Sequence, residues 1–511
     1  VYTVAAGISP SGVVHFGNLR DVMTAYAVYQ ELMQRGKTAR FLFSWDDFDR
    51  FRKVPVGFDD SLEQYIGLPL SAVPDPLDEF SSYGERFEKQ FEYSMKQLGI
   101  SMEYRYQTQE YKSGRYDQQI FHALNNRMAI ADNLLSHMSD KAIVAKEINR
   151  EQYRDEFYPI NLYSRFSGKD NTRILNFDGH TSIEYECLDS GQIEKVDLSQ
   201  DRIAKLHWKI DWPMRWREEQ VHFEPGGQDH ASPGGSYDVS SKVCKEIFDT
   251  DSPIFVGYEF VGIRGLEGKM SGSKGGAMAP DQLLRIYEPS ILSWLYNRRS
   301  PVSTFELAFD TEVYRHYDEY DKACGRARKG KLQTAELKAL ELSGAAISPD
   351  TEENLPIPFR NAVALGQIVQ WNFEKLLQLC EDLGYSYSPE SIKVRMDKAR
   401  SWLIEYNPQD AIELRSTVNE SYVRQMSKDA LSNVRKLRQA LMAGTKTLAD
   451  LNSLVYGIPK DPNATEEENK VKQKDFFNDV YHLLIGEGTG PRLSTFLWVI
   501  DRTEANRLLE V

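Results

Sequence analysis

At 511 residues, with 41% hydrophobic and 27% charged side chains, the chain has the composition of a globular protein, and roughly 100–200 residues per domain predicts about three or four domains. No run approaches the ~18 uninterrupted apolar residues of a membrane span, so no membrane partner is expected; Cys187, Cys244, Cys324 and Cys380 are too scattered for a disulfide framework and point to a reducing, cytoplasmic setting. The net charge of −14 is a whole-chain average and leaves room for a local basic face that binds nucleic acid.

The stretch Val1 to Ala6 is too short and uncharged for a secretory signal, and Val1 is not a start methionine, so the natural chain is expected to begin upstream. Val1-Tyr2-Thr3-Val4 is rich in β-formers and predicts a strand. Gly7 to Gly12 reads as a loop on composition. Apolar or aromatic residues at Leu19, Val22, Met23, Tyr26, Tyr29 and Met33 recur at helical spacing, and Arg40 to Trp45 reads as a second strand. Strand, crossover helix and strand form a βαβ unit, which predicts a parallel sheet. From 95 to 205 that rhythm is lost. Helical text such as Gln118 to Met138 mixes with a polar, β-like piece from Tyr158 to Val196. The segment reads as an insertion between two halves of a sheet that resumes near Val221–Glu224 and Ile254–Val256. After Pro280 the text is helical. Leu342 to Pro358, with three prolines among Ser, Gly and acidic residues, is the linker candidate, and 359–511 predicts a helical domain.

Two loops stand out chemically. The first, Pro10-Ser11-Gly12-Val13-Val14-His15-Phe16-Gly17-Asn18, lies between the first strand and its helix. A helix N-terminus behind a small-residue loop favours an anion through its N–H groups and dipole. Gly17 lets a nucleotide approach the backbone, and His15 and Asn18 offer donors. Alone, the stretch fits a plain loop with a capping or packing histidine better. The second loop, Lys269-Met270-Ser271-Gly272-Ser273-Lys274-Gly275-Gly276, combines two ammonium groups with hydroxyls. It suits a segment that closes over polyphosphate and neutralises departing pyrophosphate; alone, it also fits a solvated basic turn.

Both loops on one chain, in this order and before a helical tail, resemble the HIGH and KMSKS signatures of class I aminoacyl-tRNA synthetases, written here as HFGN and KMSGS. The text around them resembles the class I lysyl-tRNA synthetases: Trp45 to Pro55, Ile210 to Trp216, Glu224 to His230 and Ile357 to Arg360. The resemblance implies an α/β fold: a Rossmann-type parallel-sheet catalytic domain (1–94 and 206–280) with a connective insertion (95–205). A stem-contact helical region (281–348) and an all-helical anticodon-binding domain (359–511) follow. It implies ATP-dependent ligation of L-lysine to tRNA(Lys) through lysyl-adenylate, with Mg²⁺ accompanying ATP.

By the same resemblance, His15, Asn18, Lys269 and Lys274 serve catalysis. Pro10, Gly12, Gly17, Met270, Ser271 and Ser273 join them around ATP. The fourth KMSKS position is Gly272, so Lys274 has to supply the second ammonium. Gly7, Ser9, Trp208, His230 and Tyr258 are the lysine-site candidates, with Asp46 and Asp47 as ammonium partners. The aromatics also fit core packing, and the aspartates a cap or surface turn. Arg326, Arg328, Lys329 and Lys331 fall in a basic stretch of the stem-contact region and suit tRNA phosphate, or a solvated helix face.

Relatives in this family carry a zinc knuckle of two C-x-x-C pairs, each followed by glycine. The matching text here is Ser164-Arg165-Phe166-Ser167-Gly168 and Cys187-Leu188-Asp189-Ser190-Gly191. Three of four thiols are serine, so no structural zinc is expected, even with His180 and Asp189 nearby. Tyr163, Phe166, Ile183 and Tyr185 are then the expected core of that lobe. Two other readings stay open. One is a class I synthetase for another amino acid: glutamate would want basic pocket residues, and cysteine a zinc set. The other is a catalytically silent tRNA-binding paralogue.

Overall fold

The computed structural model describes residues 1–138, 143, 147–264, 278–345 and 355–511. The chain divides into two compact units. The first comprises Val1–Leu284, Pro289–Ala308 and Gln333–Ala345, and the second Arg285–Glu288, Phe309–Leu332 and Ala346–Val511. The boundary therefore threads through 281–348 more than once.

The first unit is built on five parallel strands: β1 (Tyr2–Ile8), β2 (Ala39–Trp45), β3 (Glu103–Tyr106), β9 (Val221–Gly227) and β10 (Ile254–Tyr258). Their order is β10-β9-β1-β2-β3. The chain leaves β1 towards β2 on one side and returns to β9 on the other. The gap beyond the C-terminal ends of β1 and β9 is thus a topological switch point, where open α/β sheets bind ligands. Helix α1 (Leu19–Gln34) makes the first crossover and buries Leu19, Val22 and Met23, as the periodicity predicts. Arg20 in its first turn is also buried; it donates to the carbonyls of Tyr296 and Ser300 and fixes where the helix begins.

Strand β1 runs on to Ile8, so Gly7 is sheet and not loop. Pairing with Ser44 and Trp45 of β2 overrides its loop-like composition. Strand β3 lies within the stretch 95–205 yet completes the main sheet. Its polar edge text, Glu-Tyr-Arg-Tyr, carries no apolar alternation to announce it. The rest of that stretch holds helices Asp117–Asn125 and Arg127–Ser136, the pair β4 (Ile160–Leu162) and β8 (Ala204–Leu206), and an antiparallel meander of β5 (Thr172–Phe177), β6 (Ser182–Cys187) and β7 (Ile193–Asp197). Tyr163, Ile183 and Tyr185 are core residues of this lobe, whereas Phe166 is 43% exposed. It sits in the turn 164–168, outside the strands.

Beyond Pro280 one strand interrupts the helices among the described residues: β12 (Phe305–Leu307), parallel to β11 (Val261–Ile263). In the second unit, Tyr317 of helix Glu312–Arg328 stacks on Phe359 at 4.0 Å. The buried Arg395 of helix Pro389–Tyr406 joins Asp321 at 2.7 Å and Glu288 at 2.8 Å. From Phe359 onward the regular elements among the described residues are all helices, with a single bridge at Tyr387.

Candidate active site

The HFGN loop is a tight turn. The N–H groups of Asn18, Leu19, Arg20 and Asp21 donate to the carbonyls three residues back, at 2.9–3.3 Å. The helix start is therefore internally satisfied. His15 N–H donates to Asn18 Oδ1 at 3.2 Å, coupling the two catalytic candidates. A Cβ at Gly17 would lie 2.8 Å from the His15 ring, so glycine is needed there to seat the imidazole. Lys269, Met270, Ser271, Ser273 and Lys274 lie outside the described residues. Both described flanks of their segment meet the HFGN loop. Met278 accepts the Phe16 N–H at 2.9 Å, and the carbonyl of Val261 approaches the Cα side of Gly17.

At the switch point a cavity opens between the small residues of β1, Ala5 to Gly7, and helix α4 (Trp208–Glu219). Trp208 and Trp212 stack at 5.0 Å and Trp212 meets Trp216 at 4.8 Å, giving the cavity an aromatic wall. His230 and Tyr258 also line it. Two buried carboxylates face this space. Asp21 accepts from the Gly7 backbone and the Tyr258 hydroxyl; burial, then the Glu224 charge, hold its carboxyl well above the usual range. Glu224 accepts the indole N–H groups of Trp212 at 3.0 Å and Trp216 at 2.7 Å, and burial pushes its carboxyl up too. Among the described residues no ion pair forms to either, although the charge of Arg215, which also lines the cavity, draws the Glu224 carboxyl back down.

Of the proposed lysine-site residues, Gly7, Asp46, Trp208, His230 and Tyr258 line this one cavity. Ser9 lines an adjoining cleft with Ser11, Arg50, Arg52 and Lys53. Asp46 already has its cation: Arg215 Nη1 at 2.7 Å. That arginine also meets Asp211 at 2.8 Å, and Asp211 takes Lys205 at 2.9 Å. Asp47 does not line the cavity. It accepts the Thr108 N–H at 2.8 Å, and burial raises its carboxyl to about 6. Pro10 and Gly12 lie in the turn between β1 and the HFGN motif. Arg326, Arg328, Lys329 and Lys331 cluster at the C-terminal end of helix Glu312–Arg328, where the dipole favours cations. They belong to the second unit.

A family model described as tRNA synthetases class I (K) matches residues 1–345. Full-length relatives agree. A lysine–tRNA ligase of Streptomyces coelicolor is 35% identical over 99% of this chain and 93% of its own length. One of Treponema pallidum is 33% identical over 100% and 95%, and one of Pyrococcus horikoshii 31% over 98% and 94%. The chain belongs to the class I (K) tRNA synthetases. Within this synthetase, sequence reasoning passed over Asp21 and Glu224. Each left one signal: an acid at a core position of an amphipathic helix, and an acid inside a buried parallel strand.

Proposed function

We propose that this chain is a lysine–tRNA ligase, and that the cavity at the switch point holds the lysine side chain. The observation that carries the choice of amino acid is the pair of cavity-facing carboxylates, Asp21 and Glu224: among the described residues neither forms an ion pair, and the one cation that acts on Glu224, Arg215, is already paired with Asp46 and Asp211. An alkyl chain lies along the tryptophan wall, and the terminal ammonium supplies the missing charge. A glutamate side chain would instead bring a third buried carboxylate. Asp46 stays with Arg215, and Asp47 drops out of the pocket, so neither is the ammonium partner.

In the first step, a lysine carboxylate oxygen bonds to the α-phosphorus of ATP. The bond to the bridging oxygen breaks, and pyrophosphate leaves with that electron pair. In the second step, a hydroxyl of the tRNA's terminal ribose attacks the lysyl carbonyl, and AMP leaves. The work of the protein is placement and charge stabilisation. His15, set by Gly17 and coupled to Asn18, reaches the phosphates. The cleft beside Ser9 and Ser11 sets Arg50, Arg52 and Lys53 against a single acid, Asp49, and this net positive lining has the chemistry to receive a polyanion, with Mg²⁺ entering on ATP. Lys269 and Lys274 follow the leaving pyrophosphate. Arg326, Arg328, Lys329 and Lys331 contact tRNA phosphate. Pyrophosphate exchange with each of the twenty amino acids, with and without tRNA, tests the reading. Lysine alone is expected to support exchange; exchange with glutamate, or with none, refutes it.

A further inference from the structure

The turns at 164–168 and 187–191 are the same object built twice. In each, the glycine N–H donates to the carbonyl four residues back, Gly168 to Ser164 and Gly191 to Cys187, both at 2.7 Å. Each glycine has positive φ, 73° and 70°. The turns come from distant text, one after β4 and one joining β6 to β7, yet they face each other. The buried Cys187 thiol donates to the Ser167 hydroxyl at 3.6 Å, and against that burial the hydroxyls of Ser164 and Ser190 act with it to hold the thiol below its usual range. Four side chains, two per turn, therefore converge on one point.

That arrangement fits a tetrahedral metal centre in shape and not in chemistry. Zinc is held by thiolate, imidazole or carboxylate, and serine hydroxyls stay un-ionised near neutral pH. Neither neighbour repairs the set. Asp189 is engaged with Asn171 at 2.7 Å, and no group of three or more His, Cys, Asp or Glu side chains suited to a metal occurs among the described residues. The hydroxyls have other work. Ser164, Ser167 and Ser190 each accept the backbone N–H two residues on, from Phe166, Lys169 and Gln192, at 3.1, 3.2 and 3.4 Å. Each thereby braces its own turn while sharing the sulfur.

We infer that this lobe is a metal-free knuckle, closed by a serine–cysteine hydrogen-bond cluster where a metal would otherwise stand, and that its backbone still presents four ligand positions. Replacing Ser164, Ser167 and Ser190 by cysteine together then regenerates a tetrathiolate site for a soft divalent cation. The inference is independent of which amino acid the enzyme uses.

The test uses the full-length chain purified without a tag. The natural protein is expected to contain no stoichiometric zinc, and its melting temperature to be unmoved by a chelator. The S164C/S167C/S190C variant, folded by circular dichroism, is expected to take up about one Co²⁺ per chain with a sulfur-to-cobalt charge-transfer band. Zn²⁺ should abolish the band and raise the melting temperature. About one zinc in the natural protein that Cys187→Ser removes would overturn the inference. So would a folded triple variant that binds no Co²⁺. If the triple variant folds only when refolded with Co²⁺, the inference stands; failure to fold with or without metal counts against it.

Discussion

Asp21→Asn separates the recognition of lysine from the integrity of the fold. The carboxylate makes two bonds, one to the Gly7 backbone and one to the Tyr258 hydroxyl. An asparagine of the same shape keeps both: its carbonyl oxygen accepts from Gly7, and its amide donates to a Tyr258 hydroxyl turned to accept. Only the charge is lost. A hydrogen bond to a charged partner contributes about 1.5–3 kcal/mol, which corresponds to a lysine KM raised roughly 10- to 100-fold. The ATP KM, and the exchange rate at saturating lysine, should stay within a few-fold. Stability should move the other way. Because the folded carboxyl is held well above its ordinary value, ionised Asp21 costs the empty protein stability above that ordinary value, and asparagine removes the cost. The assay is pyrophosphate exchange over a lysine titration, paired with a chelator-free thermal melt at the same pH. An unchanged lysine KM, or a variant that melts well below the parent, would show that Asp21 is a structural acid and not a ligand.

Three further outcomes are expected. His15→Ala should slow exchange by about 10²–10³ with little change in lysine KM, because a preorganised transition-state donor is lost; an effect confined to KM would misplace His15. Asp211→Asn should destabilise the first unit by about 3 kcal/mol, the low end of the cost of breaking a buried pair, because Lys205 keeps Asp49 at 3.4 Å and Arg215 keeps Asp46; denaturation unchanged within error would refute the network. Burial, then the Asp47 charge, push the buried Glu88 carboxyl up to about 8, so the folded state holds a proton the unfolded chain has lost, and stability should fall as pH rises from about 4.5 to 8 and then level; Glu88→Gln should flatten that slope, and an unaltered slope in the variant would assign it elsewhere.

What the sequence revealed and what it hid follow one physical line. Local pattern was legible: the helical spacing from Leu19, the β-rich openings of β1 and β2, and the resumed strands at 221 and 254 all stand where periodicity put them. Gly7 looked like loop because its strand character comes from Ser44, across the sheet and distant in sequence. The acids of the site were harder. Asp46, Asp211, Asp21 and Glu224 are all carboxylates in or beside apolar text, and nothing local distinguishes them. The fold does, by pairing Arg215 and Lys205 with the first two and giving the others neutral N–H and O–H donors at hydrogen-bond distance, with Arg215 acting on Glu224 only through its charge. A buried carboxylate with a cation is a finished structural element. One with neutral donors alone, facing a cavity, retains an unmet charge and is a place for a ligand. Asp46 stands out in the sequence because it lies within the segment Trp45 to Pro55 that resembles the family, and the structure shows its charge already answered from 169 residues away. The search for a specificity site in such a chain therefore turns less on which acids are buried than on which of them the protein has left without a cation.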